Sequence, residues 1–274
     1  MRRPLASGLR HLALIATGGL TSIPFLWMLS LSVRGPADVF DPNVGLWPRH
    51  WAIVENYGRA MTGAPLLRFL ANGVLVCGSV AALQILLCAP LAYALAKLPF
   101  RLRPALFALV LGALIIPQQV LAIPLFMMAK QAHLLNSYAA LILPFAVSPF
   151  GIFLLRQAFK GVPDDVIHAA RLDGLSEWAI VWKVMIPICT PAVAAFGLLS
   201  VVAHWNELYW PMIAIRSERL MPPALGVVAF RDDQAGSQYG VLMAAATLTI
   251  LPIVGVFLWA QRWFMEALGA GSVK

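Results

Sequence analysis

Six long apolar segments restrict the fold of this sequence more than any other feature. They lie at about residues 12–33, 69–96, 105–129, 137–158, 188–214 and 240–261. A helix crosses a bilayer with about 20 mostly apolar residues, and it pairs its own backbone polar groups, as lipid requires. We therefore predict an all-α integral membrane protein with six transmembrane helices.

The composition agrees with a membrane protein. Hydrophobic residues make up 61% of the chain and charged residues only 12%, whereas a soluble domain is near half apolar and about a quarter charged. A net charge of +8 would suggest a nucleic-acid partner in a soluble protein. Here the Lys and Arg residues cluster in loops, where they set topology and contact lipid headgroups. We therefore expect a lipid membrane partner and no nucleic acid.

The basic residues also indicate the orientation of the chain. Six spans place both termini on one side, and a cytoplasmic N-terminus puts the larger share of the 20 Lys and Arg residues inside. The first apolar segment is too long for a signal peptide, so we expect a retained span. We predict cytoplasmic tails at 1–11 and 266–274 and a transmembrane domain at 12–265. Within that domain, residues 34–68 and 215–239 form external segments and residues 159–187 form a cytoplasmic loop.

Two local features accompany the spans. The external segment 34–68 ends in a probable interfacial helix, and its Trp47 and Trp51 suit the headgroup level. Prolines fall inside or at the edge of several spans. They are Pro24, Pro90, Pro117, Pro124, Pro144, Pro149, Pro191, Pro211 and Pro252. Each proline either breaks a helix that lines a pathway or simply bends a membrane helix.

The cytoplasmic loop carries signals for two short helices. Asp164 and Asp165 place negative charge in the first turn of one helix, and Asp173-Gly174 supplies a tight turn at its end. Ser176 can cap a second helix. The small residues at 169 and 170 would let another surface approach the backbone closely. The alternative is a structured loop that only joins two spans.

The spacing of this loop resembles the EAA motif of binding-protein-dependent ABC importer permeases. That motif reads Glu-Ala-Ala, three residues, Gly, and about nine residues before an Ile-x-Leu-Pro ending, and HAARLDG at 168–174 with VMIP at 184–187 keeps this spacing. Other stretches resemble the second permease of the maltose-type carbohydrate subgroup over essentially the full length. They are NYGRAM at 56–61, WNELYWP at 205–211, LMAAATLTILP at 242–252 and GAGSVK at 269–274.

The resemblance implies a set of partners and a location. A second six-span permease, two ABC ATPase subunits that hold ATP and Mg, and an extracytoplasmic solute-binding protein are expected in a bacterial plasma membrane. The external loop would reach into the binding protein, and the C-terminal tail would lie between the ATPase subunits. The residues implied to dock the ATPase are Asp164, Asp165, His168, Ala169, Ala170, Asp173, Gly174 and Pro187. The family's Glu is His168 here, so either an aspartate replaces its acidic contact or the partner has changed.

The chain carries no sequence signature for chemistry of its own. It lacks G-x-x-x-x-G-K-[ST], and its five histidines show no metal-ligand spacing, so we expect no bound cofactor, no metal and no catalysis. The competing classes are an ion-coupled secondary transporter, which usually pairs acidic residues deep in the membrane, and a membrane enzyme. Sugars, amino sugars and glycerol phosphates all remain open as the transported solute.

Polar residues near two spans are candidates for the substrate path. One group is His204, Trp205, Asn206 and Glu207, followed by Tyr209 and Trp210. Its aromatic faces and hydrogen-bonding groups suit a sugar. Alternatively, the group forms an interfacial belt or pairs with Arg216 or Arg219. Gln118 and Gln119, beside Pro117, are a weaker candidate, because hydrogen bonds between helices would also explain them.

Overall fold

The computed structural model describes residues 3–228, 230 and 238–269, with side chains at 8, 10–228, 230 and 238–261. This part of the chain is helical, without a β-sheet. The helices are α1 Arg3–Ser32, α2 Pro36–Val39, α3 Ile53–Thr62, α4 Leu66–Lys97, α5 Arg103–Ile115, α6 Ala122–Gln131, α7 Tyr138–Ile142, α8 Pro149–Lys160, α9 Asp164–Leu172, α10 Glu177–Ile180, α11 Ile186–Ile188, α12 Thr190–Trp205, α13 Tyr209–Ala214, α14 Pro223–Val228 and α15 Tyr239–Gly269. A π-helical stretch, Val181–Met185, joins α10 to α11.

Three helices are long and apolar enough to cross a membrane by themselves, and they belong to α1, α4 and α15. Three further pairs qualify if each pair is one bent span. These pairs are Arg103–Ile115 with Gln118–Gln131, Tyr138–Phe145 with Pro149–Lys160, and Glu177–Ile188 with Thr190–Trp205. Among the described residues the chain therefore has three to six spans, and six agrees with the prediction.

The third, fourth and fifth predicted spans are not continuous helices, which agrees with the broken-helix alternative that the sequence left open at its prolines. The bends measure 95°, 44° and 88° in chain order. Pro117 follows the end of α5 and Pro149 begins α8; proline lacks an N–H and disfavours helix in the residue before it. Pro24, Pro90 and Pro252 lie inside continuous helices. Proline therefore lies at a helix break in some spans and inside a continuous helix in others.

The chain divides into two compact units. The first unit comprises residues 1–67 and 227–251, and the second comprises 68–226 and 252–274. In the first unit, the buried Arg34 donates to the hydroxyl of Ser30 and to the backbone carbonyls of Asp38 and Gly45. This network organises the predicted external segment, and α3 within it confirms the predicted helix. Residues 231–237 of the second predicted external segment and 270–274 of the tail lie outside the described residues.

The second unit contains two hydrophobic cores. One core packs α4, α8, α9 and the helices that follow, with Leu155, Phe159 and Met185 fully buried. The other contains Val80 of α4, Leu141 of α7 and Trp210 of α13 among its buried residues. The first core supports the predicted cytoplasmic loop, and the second lies beside the polar cavity described below.

Candidate functional site

The predicted helix–turn–helix forms between α8 and α12. Helix α9 ends at Leu172, and Gly174 follows with φ +80°. The Gly174 N–H donates to Arg171 O at 3.0 Å and the Leu175 N–H donates to Ala170 O at 3.1 Å, the two bonds of a Schellman motif. The Ser176 hydroxyl accepts from the Ala179 N–H at 3.2 Å and caps α10. The local geometry predicted for this loop is confirmed.

One face of α9 is exposed and the other is buried. Leu172 is 89% exposed, and His168, Ala169 and Asp173 share the exposed side. Ala170 is only 6% exposed because it packs into the chain's own core. Its side chain therefore faces the core of the chain, and its assignment to the docking surface stays a prediction. The remaining predicted docking residues, Asp164, Asp165, Gly174 and Pro187, are exposed.

The end of α4 is bonded to both arms of the helix–turn–helix. Lys97 Nζ donates to Val162 O at 2.5 Å and contacts Asp164 Oδ1 at 2.6 Å, at the start of α9. One turn earlier, the Tyr93 hydroxyl donates to Glu177 Oε2 at 2.5 Å, at the start of α10. Arg171 of α9 contacts the same carboxylate at 2.7 Å. Both arms are therefore held to the end of α4, a candidate membrane span, by hydrogen bonds and an ion pair.

The Lys97–Asp164 pair can be tested by hydrogen exchange. The hydrogen bond from Lys97 and its positive charge hold the pKa of Asp164 below its ordinary value of 3.8. The pair therefore contributes stability above that pH and loses it as the pH falls through the lowered pKa. We expect Lys97→Met to accelerate amide exchange at 162–166 severalfold at neutral pH. The matched control, Lys160→Met, removes an exposed lysine that has no described ion pair and should leave this exchange unchanged.

A difference between Lys97→Met and the unsubstituted protein that persists undiminished far below pH 3.8 would contradict this account. At that pH the Asp164 carboxyl is protonated in both proteins, so only the Lys97–Val162 hydrogen bond still distinguishes them. Most of the difference in exchange should therefore disappear in acid.

A polar cavity of about 670 Å³ lies within the second unit. Its volume falls in the range of small-molecule sites, which is roughly 300–1,000 Å³. The wall is formed where helices break: residues 116–122 between α5 and α6, 144–150 before and into α8, and 203–210 at the end of α12. Because chain breaks expose backbone polar groups, such breaks are tolerated at membrane depth only beside protein or a water-filled space.

Four of the six predicted substrate-path residues line this cavity. Gln118, Gln119, His204 and Glu207 contribute to its wall. Trp205 instead lies buried with its ring against Gly73, and Asn206 donates to Val202 O at 2.8 Å outside the cavity. The structure thus brings together two groups that are far apart in sequence and separates residues that are neighbours in the chain.

Gln84 of α4 is a cavity residue that the sequence reasoning missed. Its amide donates to Phe145 O at 2.8 Å and accepts from the Ser200 hydroxyl at 2.7 Å, so it joins three elements. His204 Nδ1 lies 2.8 Å from Ser200 O. A carbonyl oxygen only accepts, so Nδ1 carries the proton and Nε2 points elsewhere. The signal was present in the sequence, since a lone glutamine in an apolar span is a functional candidate.

Glu207 accepts a hydrogen bond from the Trp210 N–H at 3.1 Å. The Trp210 indole donates to Ala140 O at 2.8 Å, which fixes α13 against α7. Within the described residues no ion pair joins Glu207 to Arg216 or Arg219, the pairing that the sequence left open. The same residues contain no group of three His, Cys, Asp or Glu side chains that could hold a metal ion. The cavity therefore presents hydrogen-bonding groups between apolar walls.

Comparisons with known proteins identify the family. A family model described as a binding-protein-dependent transport system inner membrane component matches residues 88–268. The arabinooligosaccharides transport system permease protein AraQ of Halalkalibacterium halodurans is 32% identical over 274 residues, covering 98% of this chain and 95% of that protein. The lactose transport system permease protein LacG of Rhizobium radiobacter is 30% identical, covering 100% and 98%.

A solved structure agrees over nearly the whole length. A bacterial ABC transporter involved in the import of the acidic polysaccharide alginate matches with a TM-score of 0.82 and 25% identity, covering 96% of this chain and 98% of that chain. This chain belongs to the family of binding-protein-dependent transport system inner membrane components.

Proposed function

We propose that this chain is a permease subunit of an ATP-driven importer of carbohydrate-type solutes in a bacterial plasma membrane. It forms the translocation path with a second six-span permease, and both of its termini are cytoplasmic. The observation that carries this proposal is the polar cavity among broken helices, in a chain whose relatives are named for arabinooligosaccharide and lactose transport. An ion-coupled transporter is a weaker reading, because Glu207 is the one acidic residue among the described residues that line the cavity.

The exposed face of α9 is the proposed contact with an ATPase subunit. A leucine that is 89% exposed on a rigid helix pair, beside His168 and Asp173, presents an apolar centre with a polar edge. Asp164 is held by Lys97, whereas Asp165 has no described ion pair. Asp165 therefore supplies the acidic contact that the family's Glu would make. Two such ATPase subunits hydrolyse ATP with Mg, since this chain has no phosphate-binding loop of its own.

The other proposed partner is the extracytoplasmic solute-binding protein that the family description names. In this proposal the described residues 215–228, which follow α13, face it on the side of the membrane opposite to the helix–turn–helix. Pro223 in this segment packs against Gly73 of α4, so a contact made there reaches the second unit. Solute released by the binding protein then enters the cavity.

Leu172→Glu should separate this chain from its ATPase. Burying a charge at the centre of a contact commonly costs about 2 kcal/mol or more, which is about thirtyfold in affinity. We expect the ATPase subunits to be lost from the copurified complex and sugar uptake to fall at least tenfold. Leu172→Met preserves the apolar contact and should retain both. Leu102→Glu changes another highly exposed leucine and serves as the surface control.

A different outcome would reject the proposal as a whole. If the purified chain transports solute alone, driven by an ion gradient and without any ATPase, it is not a permease subunit of this kind. If the complex assembles and the Leu172→Glu variant still couples ATP hydrolysis to uptake, only the assigned docking face is wrong.

A further inference from the structure

The polar cavity carries a negatively charged group and no positively charged one. Glu207 supplies a carboxylate, while none of the lining residues in the described chain is Lys or Arg. One Glu207 oxygen accepts from the Trp210 N–H, and no hydrogen bond is described for the other. A carboxylate in a partly enclosed space of this kind sets the sign of the local potential.

Several hydrogen-bonding atoms of the cavity have no described partner within the chain. The amides of Gln118 and Gln119 make no described side-chain hydrogen bond. His204 Nε2 is left as an acceptor when Nδ1 donates to Ser200 O. Together with Glu207 these groups offer both donors and acceptors, which a hydroxyl group can satisfy because it both donates and accepts.

The side chains that normally bind anions, Lys and Arg, are missing from the described wall of the same cavity. Phosphate and carboxylate ligands are recognised by Arg, by Lys or by free N–H groups at a helix start. The start of α8 lines the cavity: Pro149 has no N–H and the Gly151 N–H donates to the Ser148 hydroxyl at 3.1 Å, which leaves the Phe150 N–H without a described acceptor. A helix start contributes at most about half an elementary charge, which is less than the full charge on Glu207.

We propose that the polar cavity is a solute-binding half-site that accepts uncharged, hydroxyl-rich solutes and repels anionic ones through Glu207. This inference rests on the proposed function, and it narrows the transported class from sugars, amino sugars and glycerol phosphates to those without net negative charge.

The test measures the charge preference of the cavity directly. A reporter cysteine replaces Leu199, a lining residue, after serine has replaced the buried Cys77, Cys88 and Cys189 in a variant that still assembles into the complex. The assembled importer is labelled with anionic sulfonatoethyl methanethiosulfonate and with cationic trimethylammonioethyl methanethiosulfonate. Each labelling rate is divided by the rate at which the same reagent reacts with mercaptoethanol in solution, which gives the normalised rate. We expect the normalised rate to be about tenfold higher for the cation, as one nearby carboxylate would cause.

Substitutions then assign the preference to a residue. Glu207→Gln should bring the ratio close to one, whereas Glu207→Asp should retain most of it. Glu218→Gln removes an exposed carboxylate that does not line the cavity and should leave the ratio unchanged. A ratio near one before substitution, or a ratio that Glu207→Gln does not change, would overturn the proposal.

The outcome is distinguishable from a failure of the proposed function. If the importer takes up a sugar while the labelling ratio stays at one, the carbohydrate permease stands and the anion-repelling half-site is rejected. If the ratio behaves as expected but no ATP-driven uptake of any sugar is found, the charge of the cavity stands and the proposed function is rejected.

Discussion

Gly174→Val should abolish coupled uptake while leaving the chain in the membrane. Gly174 has φ +80°, a conformation that costs a residue with a side chain about 1–2 kcal/mol and a β-branched residue more. Valine would therefore break the two Schellman hydrogen bonds and displace the exposed face of α9 from its proposed partner. We expect uptake to fall at least tenfold, since the proposed contact would lose about this strain energy or more. Membrane insertion should be unchanged because no apolar segment is altered.

A second substitution at the same position identifies the cause. Asparagine tolerates positive φ far better than valine, so Gly174→Asn should keep the turn. Apart from its two chain neighbours, no described residue has an atom within 4 Å of a Cβ built at this position, so a side chain there meets no clash with the described part of the chain. Retained uptake in Gly174→Asn would assign the valine defect to backbone strain. Lost uptake would instead show that the partner approaches this position closely. Normal uptake in Gly174→Val would contradict the docking role.

The local parts of the helix–turn–helix were predictable from sequence, whereas its exposed face was not. The Asp-Gly turn and the Ser176 cap depend on residues within a few positions of each other. Ala169 is exposed and Ala170 is buried, and this difference depends on what packs against α9. Ala170 contacts a core built from α4 and α8, and nothing in the loop sequence reports those neighbours.

The breaks in the spans also depend on neighbours that the sequence does not report. Apolar length alone predicted where helices lie, because lipid demands it. Length did not predict which prolines break a helix: Pro90 lies inside α4, while α5 ends just before Pro117. A freed backbone carbonyl in a span is tolerated where neighbouring groups or water satisfy it, so the tertiary surroundings decide.

The cavity was predictable in part because polar residues are rare in spans. His204 lies near the end of α12, whereas Glu207 lies in the link between α12 and α13. Helix spacing therefore does not explain why these two residues line the cavity while Trp205 and Asn206 do not. The meeting of the two lining residues with Gln118 and Gln119 follows from the bend between α5 and α6, which the sequence indicated only as a possible proline break.

Gly151→Leu is expected to prevent the second unit from folding around its cavity. Gly151 is the third residue of α8, and a Cβ added there would overlap three ring atoms of Phe196 on α12. Phe196 is 1% exposed, so its ring has no free space to enter. Overpacking of this kind commonly costs about 1–3 kcal/mol, and four added carbons at a helix contact should cost at least that. We expect a large loss of the detergent-solubilised monodisperse protein and a lowered Tm.

Two variants keep this prediction specific. Gly112→Leu on α5 adds the same side chain at an exposed position where no atom lies within 4 Å of the new Cβ, so it should express and unfold like the unsubstituted chain. Gly151→Ala combined with Phe196→Leu replaces the ring by a smaller side chain and should recover part of the stability lost in Gly151→Ala alone. Because Phe196 also lines the cavity, the double variant should bind solute differently even where it folds. Equal stability of Gly151→Leu and Gly112→Leu would mean that α8 and α12 do not pack closely at this point.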